Sequence, residues 1–335
     1  MNYYLTPRPN PNLLSIVIPC YNEEAVIHHL KERLNSFQKS IGISTEVILV
    51  NDGSSDQTIN LLVDWARQDS SIQVVSLARN FGHQIAVTAG MDHAKGDVCV
   101  IMDADLQDPP EVIVEMLSKY REGYEIVYGQ RLERAGESWF KKWTAWAFYR
   151  IMNFLVHKDL PLDSGDFRLI SRTCLDVMGT MRENHRFLRG MNAWIGFPQT
   201  PVHYNRDPRV AGETKYPLRK MLKLALNAAI AFSPIPLRFS LALGFIIAIF
   251  GFFYGIYALY MAYLYFVLEL PVVYNRGWST IVVLICVIGG SILISIGILG
   301  EYVARIFEEV KGRPLYSVHF VLDNKSATKK SKKKS

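Results

Sequence analysis

The sequence predicts an α/β domain with a mostly parallel sheet flanked by helices, followed by a C-terminal hairpin of two membrane-spanning helices. Two observations carry this expectation. Short β-rich runs alternate with helical stretches from Leu13 to Met102, the pattern of βαβ units. Two long blocks, Phe239 to Leu268 and Gly277 to Gly300, hold no charged side chain, and each is long enough to cross a bilayer. The 335 residues leave room for one large or two ordinary domains. With 50% hydrophobic and 20% charged residues, the chain is too apolar to be disordered and tilts away from a purely soluble protein.

Residues 1–12 contain three prolines and no apolar run, so they read as a flexible N-terminus and not as a secretory signal. The α/β domain is expected over residues 13–214. Ser15–Pro19, Glu46–Asn51, Ile72–Leu77 and Asp97–Met102 read as strands, and Glu24–Ser40, Gln57–Arg67 and Gln84–Ala94 show helical periodicity between them. The runs Ile16-Val-Ile18 and Val47-Ile-Leu-Val50 are apolar without alternation, as strands covered on both faces should be. A parallel sheet between two helical layers follows.

Two later segments read as amphipathic helices. Glu137–Lys158 spaces Trp139, Trp143 and Trp146 by four and three, and residues 215–235 set Lys215, Arg219, Lys220 and Lys223 opposite Leu218, Leu222, Leu226 and Ala229. Each either lies on a lipid surface or packs on the domain; the apolar block that follows the second at once favours lipid there. The membrane helices are expected over residues 236–268 and 277–300. At 1.5 Å per residue the two uncharged blocks reach about 45 Å and about 36 Å, beyond a hydrocarbon core of about 30 Å. Arg219, Lys220, Lys223 and Arg238 precede the hairpin, and Arg305, Lys311 and Arg313 follow it, so the positive-inside rule places both ends in the cytosol. Residues 301–324 then form a cytosolic C-terminal segment, and residues 325–335 a polybasic tail.

That tail holds six lysines and no acid, which accounts for the whole net charge of +6. A pI near 9.0 therefore does not argue for nucleic acid; the tail suits an anionic membrane face or serves solubility alone. Cys20, Cys99, Cys174 and Cys286 lie far apart and outline neither a disulfide framework nor a zinc knuckle, as a reducing cytosol allows.

Chemistry-bearing residues gather where strands should end. No G-x-G-x-x-G follows a strand and no G-x-x-x-x-G-K-[ST] occurs, so neither a dinucleotide fingerprint nor a P-loop is present. Pro19-Cys-Tyr-Asn-Glu-Glu24 closes the first strand and Asn51-Asp-Gly-Ser-Ser-Asp56 the second. Asp52 there either accepts hydrogen bonds from a base or ribose or belongs to a turn, and Asp56 reads as a helix cap. Met102-Asp-Ala-Asp-Leu-Gln-Asp-Pro-Pro110 closes the fourth. Side chains two apart on an extended segment share a face, so Asp103, Asp105 and Gln107 offer three oxygens to a hard cation such as Mg²⁺ or Mn²⁺. The alternative is an acidic loop capping the helix that starts at Pro109-Pro110.

Together with Gly300-Glu-Tyr-Val-Ala-Arg-Ile-Phe-Glu-Glu-Val-Lys-Gly-Arg-Pro-Leu-Tyr316, these segments resemble the polyisoprenyl-phosphate glycosyltransferases. Those are inverting GT-A enzymes similar to dolichol-phosphate mannose synthase, and the likeness, over residues 13–316, runs toward their bactoprenol-phosphate glucosyltransferase branch. The resemblance implies a GT-A fold for the α/β domain. It implies transfer of one hexose, foremost glucose from UDP-glucose, to polyprenyl (undecaprenyl) phosphate at the cytosolic membrane face with inversion. It places Pro19, Tyr21, Glu23, Asp52 and Asp103 around the nucleotide, and Asp103, Asp105 and Gln107 around Mg²⁺ or Mn²⁺. Asp166 resembles the position where inverting relatives place a base, although dolichol-linked relatives often lack an acid there. Arg131, Arg209 and Lys215 complete the catalytic set. An integral protein of a bacterial plasma membrane, assembled as a tetramer, is implied as well.

Such a reaction needs these residue types. A phosphate monoester has its second pKa near 6, so much of the acceptor is already a dianion at neutral pH and a strong base is optional. What matters is cationic density to hold that acceptor beside a departing diphosphate, for which Arg131, Arg168, Arg209 and Lys215 are candidates. His83 is expected to satisfy a loop hydrogen bond. Three other readings remain: a GDP-mannose-dependent polyprenyl- or dolichol-phosphate mannosyltransferase, a processive polysaccharide synthase, and a non-catalytic membrane-anchored nucleotide-binding scaffold. The synthase is disfavoured because no Q-x-x-R-W element occurs.

Overall fold

The apolar runs become central strands. The computed structural model describes residues 5–132, 164–205, 235–268 and 277–323. In it, β1 (Leu13–Cys20) lies between β2 (Ser44–Asn51) and β4 (Val98–Ile101), parallel to both, and β3 (Ile72–Leu77) continues the parallel pairing beyond β2. All four expected strands form, within two residues of the expected ends. The intervening helices are α1 (Ile27–Ser40), α2 (Thr58–Gln68) and α3 (His83–His93), and α4 (Val112–Arg121) follows β4.

Successive strand residues feed two different cores, which is why these runs need no polar alternation. Ile16, Ile18, Val47 and Leu49 pack with Leu30 and Leu34 of α1, Leu62 and Trp65 of α2 and Met116 of α4. Val17, Ile48 and Val50 turn to the opposite face and pack with Ala86, Val87 and Ala89 of α3. Helix α3 lies very close to the sheet because its inner face is built from small residues. A Cβ added at Gly90 would fall 2.3 Å from Cγ1 of Val17.

The sheet is completed by β5 (Ile126–Arg131), β6 (Ser164–Ser171), β7 (Gln199–Tyr204) and β8 (Val318–Asp323), in the order β7-β5-β6-β4-β1-β2-β3-β8. Strand β6 runs antiparallel to both β4 and β5, and β8 antiparallel to β3. Two further helices, α5 (Arg172–Thr180) and α6 (Leu188–Trp194), share the core of α3. From β1 the chain steps outward through β2 to β3, and α3 then carries it back to β4 on the other side of β1. The loops leaving β1 and β4 therefore diverge, and such a switch point opens a crevice at the carboxyl edge of the sheet.

The chain divides into two compact units, Met1–Leu218 with Arg313–Ser335, and Arg219–Gly312. In the second, α7 (Ile235–Phe266) and α8 (Trp278–Val310) contact each other, and their spans Leu237–Tyr265 and Ile281–Val310 are long and apolar enough to cross a membrane. Neither span is buried by protein, so neither is the core helix of a soluble domain. Helix α8 continues ten residues past the expected end at Gly300, because Glu301 and Arg305 pair one turn apart and no breaker intervenes. It stops where Gly312 takes a left-handed φ of 58°, with Pro314 just beyond. The expected C-terminal segment thus divides into the last turns of α8 and strand β8. The tryptophan-rich segment, the basic helix before α7, the link between α7 and α8, and the polybasic tail lie outside the described residues.

Candidate functional site

The site follows from the pairing of β4 with β6. Their antiparallel register sets Ile101 opposite Arg168, and two residues further along each strand it brings Asp103 and Asp166 to the same sheet edge. His83, the first residue of α3, stands between them. Its Nε2 lies 3.2 Å from Oδ2 of Asp166 and 3.8 Å from Oδ1 of Asp103. The sequence-based expectation of a simple loop hydrogen bond for His83 is thus replaced by a place between two acids.

Asp166 is only 14% exposed and is held from two helices. Gln84 of α3 donates through Nε2 to Oδ2 at 3.2 Å, and Arg189 of α6 donates through Nε to Oδ1 at 2.7 Å. Burial works against the charge of Asp166, but Arg189 and His83 outweigh it and hold the carboxyl well below the usual range. Such a carboxylate stays ionised and is a weak base. Neither Gln84 nor Arg189 stood out in the sequence, since each lies on a short helix without a motif.

Asp103 experiences the opposite balance. Burial raises its carboxyl pKa, His83 lowers it, and Asp166, Asp108 and Asp105 raise it again, to about 6. After Ile101 the chain leaves the strand and turns at Ala104–Asp105, and Leu106 adopts a left-handed φ of 55°. Exposure nevertheless alternates: Asp103, Asp105 and Gln107 are partly exposed, while Ala104, Leu106 and Asp108 are buried. The backbone N–H of Gln107 donates to Oδ1 of Asp105 at 3.2 Å. Among the described residues no three acids, histidines or cysteines converge as a ready-made metal cage. The crowding of negative charge at Asp103 fits a hard divalent cation.

The expected nucleotide residues occupy the loops after β1 and β2. Pro19 is buried in β1, Tyr21 is 45% exposed and Glu23 half-buried. Those loops are stitched together: Asn22 accepts from the Ser55 backbone N–H, Glu24 from that of Gln57, and Asp56 from those of Glu24 and Thr58. Asp52 is 2% exposed, and its two oxygens accept the backbone N–H groups of Phe81 at 2.7 Å and Gly82 at 2.9 Å. Burial raises its carboxyl pKa, partly countered by those two amides.

The arginines separate into exposed and committed groups. Arg131, at the end of β5, keeps 28% of its side chain exposed. It passes over Gly165, where an added Cβ would meet its Nη2 at 3.0 Å. Its Nη2 lies 4.0 Å from Oδ1 of buried Asp108, which accepts the Tyr204 hydroxyl at 2.5 Å. Arg168, by contrast, is buried; its Nη2 donates to the carbonyl of Gly165 at 2.8 Å, and burial lowers its pKa to about 10. Arg209 and Lys215 lie outside the described residues.

Residues 15–179 match Glycosyl transferase family 2. The uncharacterized glycosyltransferase YkcC of Bacillus subtilis is 45% identical over 313 residues, 93% of this chain and 95% of its own length. The SfII prophage-derived bactoprenol glucosyl transferase of Shigella flexneri is 36% identical over 305 residues, 91% of this chain and 97% of its own. Among solved structures, glucosyl-3-phosphoglycerate synthase from Mycobacterium tuberculosis, in complex with Mn²⁺, UDP and phosphoglyceric acid, overlays with a TM-score of 0.48 at 18% identity, covering 65% of this chain and 76% of that one. By its sequence relatives the chain belongs to the family 2 glycosyl transferases, and along nearly its whole length it is similar to bactoprenol glucosyl transferases.

Proposed function

We propose that the protein transfers one glucose from UDP-glucose to polyprenyl phosphate, with inversion, at the cytosolic face of a membrane in which α7 and α8 anchor it. The observation that carries this reading is the meeting of Asp103 and Asp166 around His83 at one sheet edge. The names of the Shigella relatives support the choice of sugar and acceptor.

An acceptor phosphate oxygen attacks the anomeric carbon; the new C–O bond forms as the bond to UDP breaks on the opposite face. No proton has to be removed from a phosphate dianion, so the weak basicity of Asp166 is no obstacle. Its charge supports the positive character that develops on the sugar. Arg131, with Arg209 and Lys215, holds the acceptor phosphate. Pro19, Tyr21, Glu23 and Asp52 border the nucleotide, Asp52 through the loop its carboxylate fixes. Asp103, Asp105 and Gln107 would hold Mg²⁺ or Mn²⁺, which would supply charge neutralisation for the departing diphosphate.

Membranes bearing the protein are incubated separately with radiolabelled UDP-glucose, GDP-mannose and UDP-N-acetylglucosamine, each with Mg²⁺ and undecaprenyl phosphate. Organic-phase label from UDP-glucose is expected. Label from GDP-mannose alone would convert the reading to mannosyl transfer, and no label from any donor would leave a nucleotide-binding scaffold.

A further inference from the structure

Gln84 closes a ring of contacts that spans three elements. Its Nε2 donates to Oδ2 of Asp166 at 3.2 Å, while its Oε1 accepts the backbone N–H of Leu188 at 3.0 Å. Leu188 is the first residue of α6, and the next residue, Arg189, donates to the other oxygen of Asp166 at 2.7 Å. One side-chain amide therefore links α3, the start of α6 and the carboxylate on β6.

The residue type is chemically constrained. Asp166 accepts from this position and the Leu188 amide donates to it; a glutamine serves both from one planar group, whereas glutamate lacks the donor and lysine the acceptor. The Leu188 amide belongs to the first turn of α6, where the N-cap residue Phe187 supplies no side-chain cap. Gln84 takes that role from another helix.

The aim of Gln84 is set from deeper in the protein. Asp52 grips the backbone N–H groups of Phe81 and Gly82, and Gly82 turns the chain into α3 with a φ of 96°. That turn presents His83 and Gln84 side by side to Asp166.

We propose that Gln84 is a positioning residue for sugar transfer: it fixes the Asp166 carboxylate and the start of α6 in one arrangement, so that Asp166 and Arg189 meet the reacting sugar preorganised. The inference rests on the reading of Asp166 as a participant in transfer. It predicts a defect in turnover and not in donor capture, because Gln84 touches none of the residues assigned to the nucleotide through its side chain.

The full-length protein in detergent, with UDP-glucose and undecaprenyl phosphate, provides the test. Gln84→Glu keeps the acceptor for Leu188 but sets a second carboxylate against Asp166; Gln84→Met keeps the length and loses both bonds. Each variant should lower kcat about 10- to 100-fold while the KM for UDP-glucose changes less than about threefold. Gln84→Met should also speed hydrogen exchange at the Leu188 amide. If Gln84→Met does not fold, Gln84→Glu decides, with its thermal unfolding as the control. Wild-type transfer with unchanged kcat in the folded variants, or an equal loss in kcat and donor affinity, overturns the inference alone. Absence of transfer by the wild type refutes the proposed function, and the inference falls with it.

Discussion

Arg189 donates to Asp166 at 2.7 Å, although the two residues come from a short helix and a strand start and neither belongs to the motif at the end of β4. This pair gives the sheet edge its asymmetry. Asp166 is kept ionised by neighbouring positive groups, whereas Asp103 is desolvated by burial, crowded by acids, and holds its proton up to about pH 6. Two carboxyl groups bridged by one histidine thus have opposite environments.

Asp166→Asn should lower kcat about 100-fold or more while UDP-glucose affinity survives. Steady-state kinetics with donor titration checks this, and unchanged turnover removes Asp166 from the mechanism. The same substitution should cost about 1–3 kcal/mol of stability at pH 7, allowing for the partial exposure of Arg189. The folded-state pKa of Asp166 is depressed, so its stabilisation is present above about pH 4 and fades as pH falls through the lower folded value. The gap between wild type and variant should therefore close in acid, as thermal unfolding between pH 7 and pH 3 would reveal.

Asp103 has the opposite sign. Its folded-state pKa, about 6, is raised, so ionising it penalises the folded state, and metal-free wild type should lose stability as pH rises from about 4 through 6. In chelator, Asp103→Asn should match wild type near pH 4 and melt above it at pH 7. Mn²⁺ or Mg²⁺ should raise the melting temperature of wild type and not of the variant. A wild type indifferent to both ions would count against a cation at this loop.

Gly90→Ala should destabilise the α/β unit by about 1–3 kcal/mol, despite the better helix propensity of alanine. The added methyl meets Val17 across the helix–sheet contact at 2.3 Å. Thermal unfolding in detergent measures the loss; an unchanged or raised melting temperature would show that α3 can move off the sheet.

Truncation after Gly312 removes β8 from its antiparallel pairing with β3, and with it the Tyr316 hydroxyl that donates to Asp92 at 2.7 Å. The uncovered edge of β3 presents unpaired backbone groups. A lower melting temperature and concentration-dependent aggregation in light scattering are expected, whereas a monodisperse variant of wild-type stability would refute a structural role for β8.

Much of the architecture could be read from local pattern. The runs at Ile16–Ile18 and Val47–Val50 announced strands covered on both faces, and the uncharged blocks announced α7 and α8. The loop after β4 was conspicuous for its carboxylates. Strand β8 was not legible, because Val318–Asp323 becomes a strand only when the edge of β3 is available to pair with it. The continuation of α8 beyond Gly300 leaves no uncharged run to mark it, because the helix is sustained there by paired charges until Gly312.

Periodicity and composition, which act over a few residues, were enough to establish the parallel core, the apolar helix pair and the acids at Asp103 and Asp105. The surroundings of Asp166 needed the folded chain. Gln84 lies 82 residues from Asp166 and 104 from Leu188, and these groups meet only because β6 returns antiparallel beside β4 while α3 crosses back over the sheet. Contacts between residues so far apart leave no trace in local hydrophobic pattern, since their partners are chosen by strand register and by the packing of helices distant in sequence.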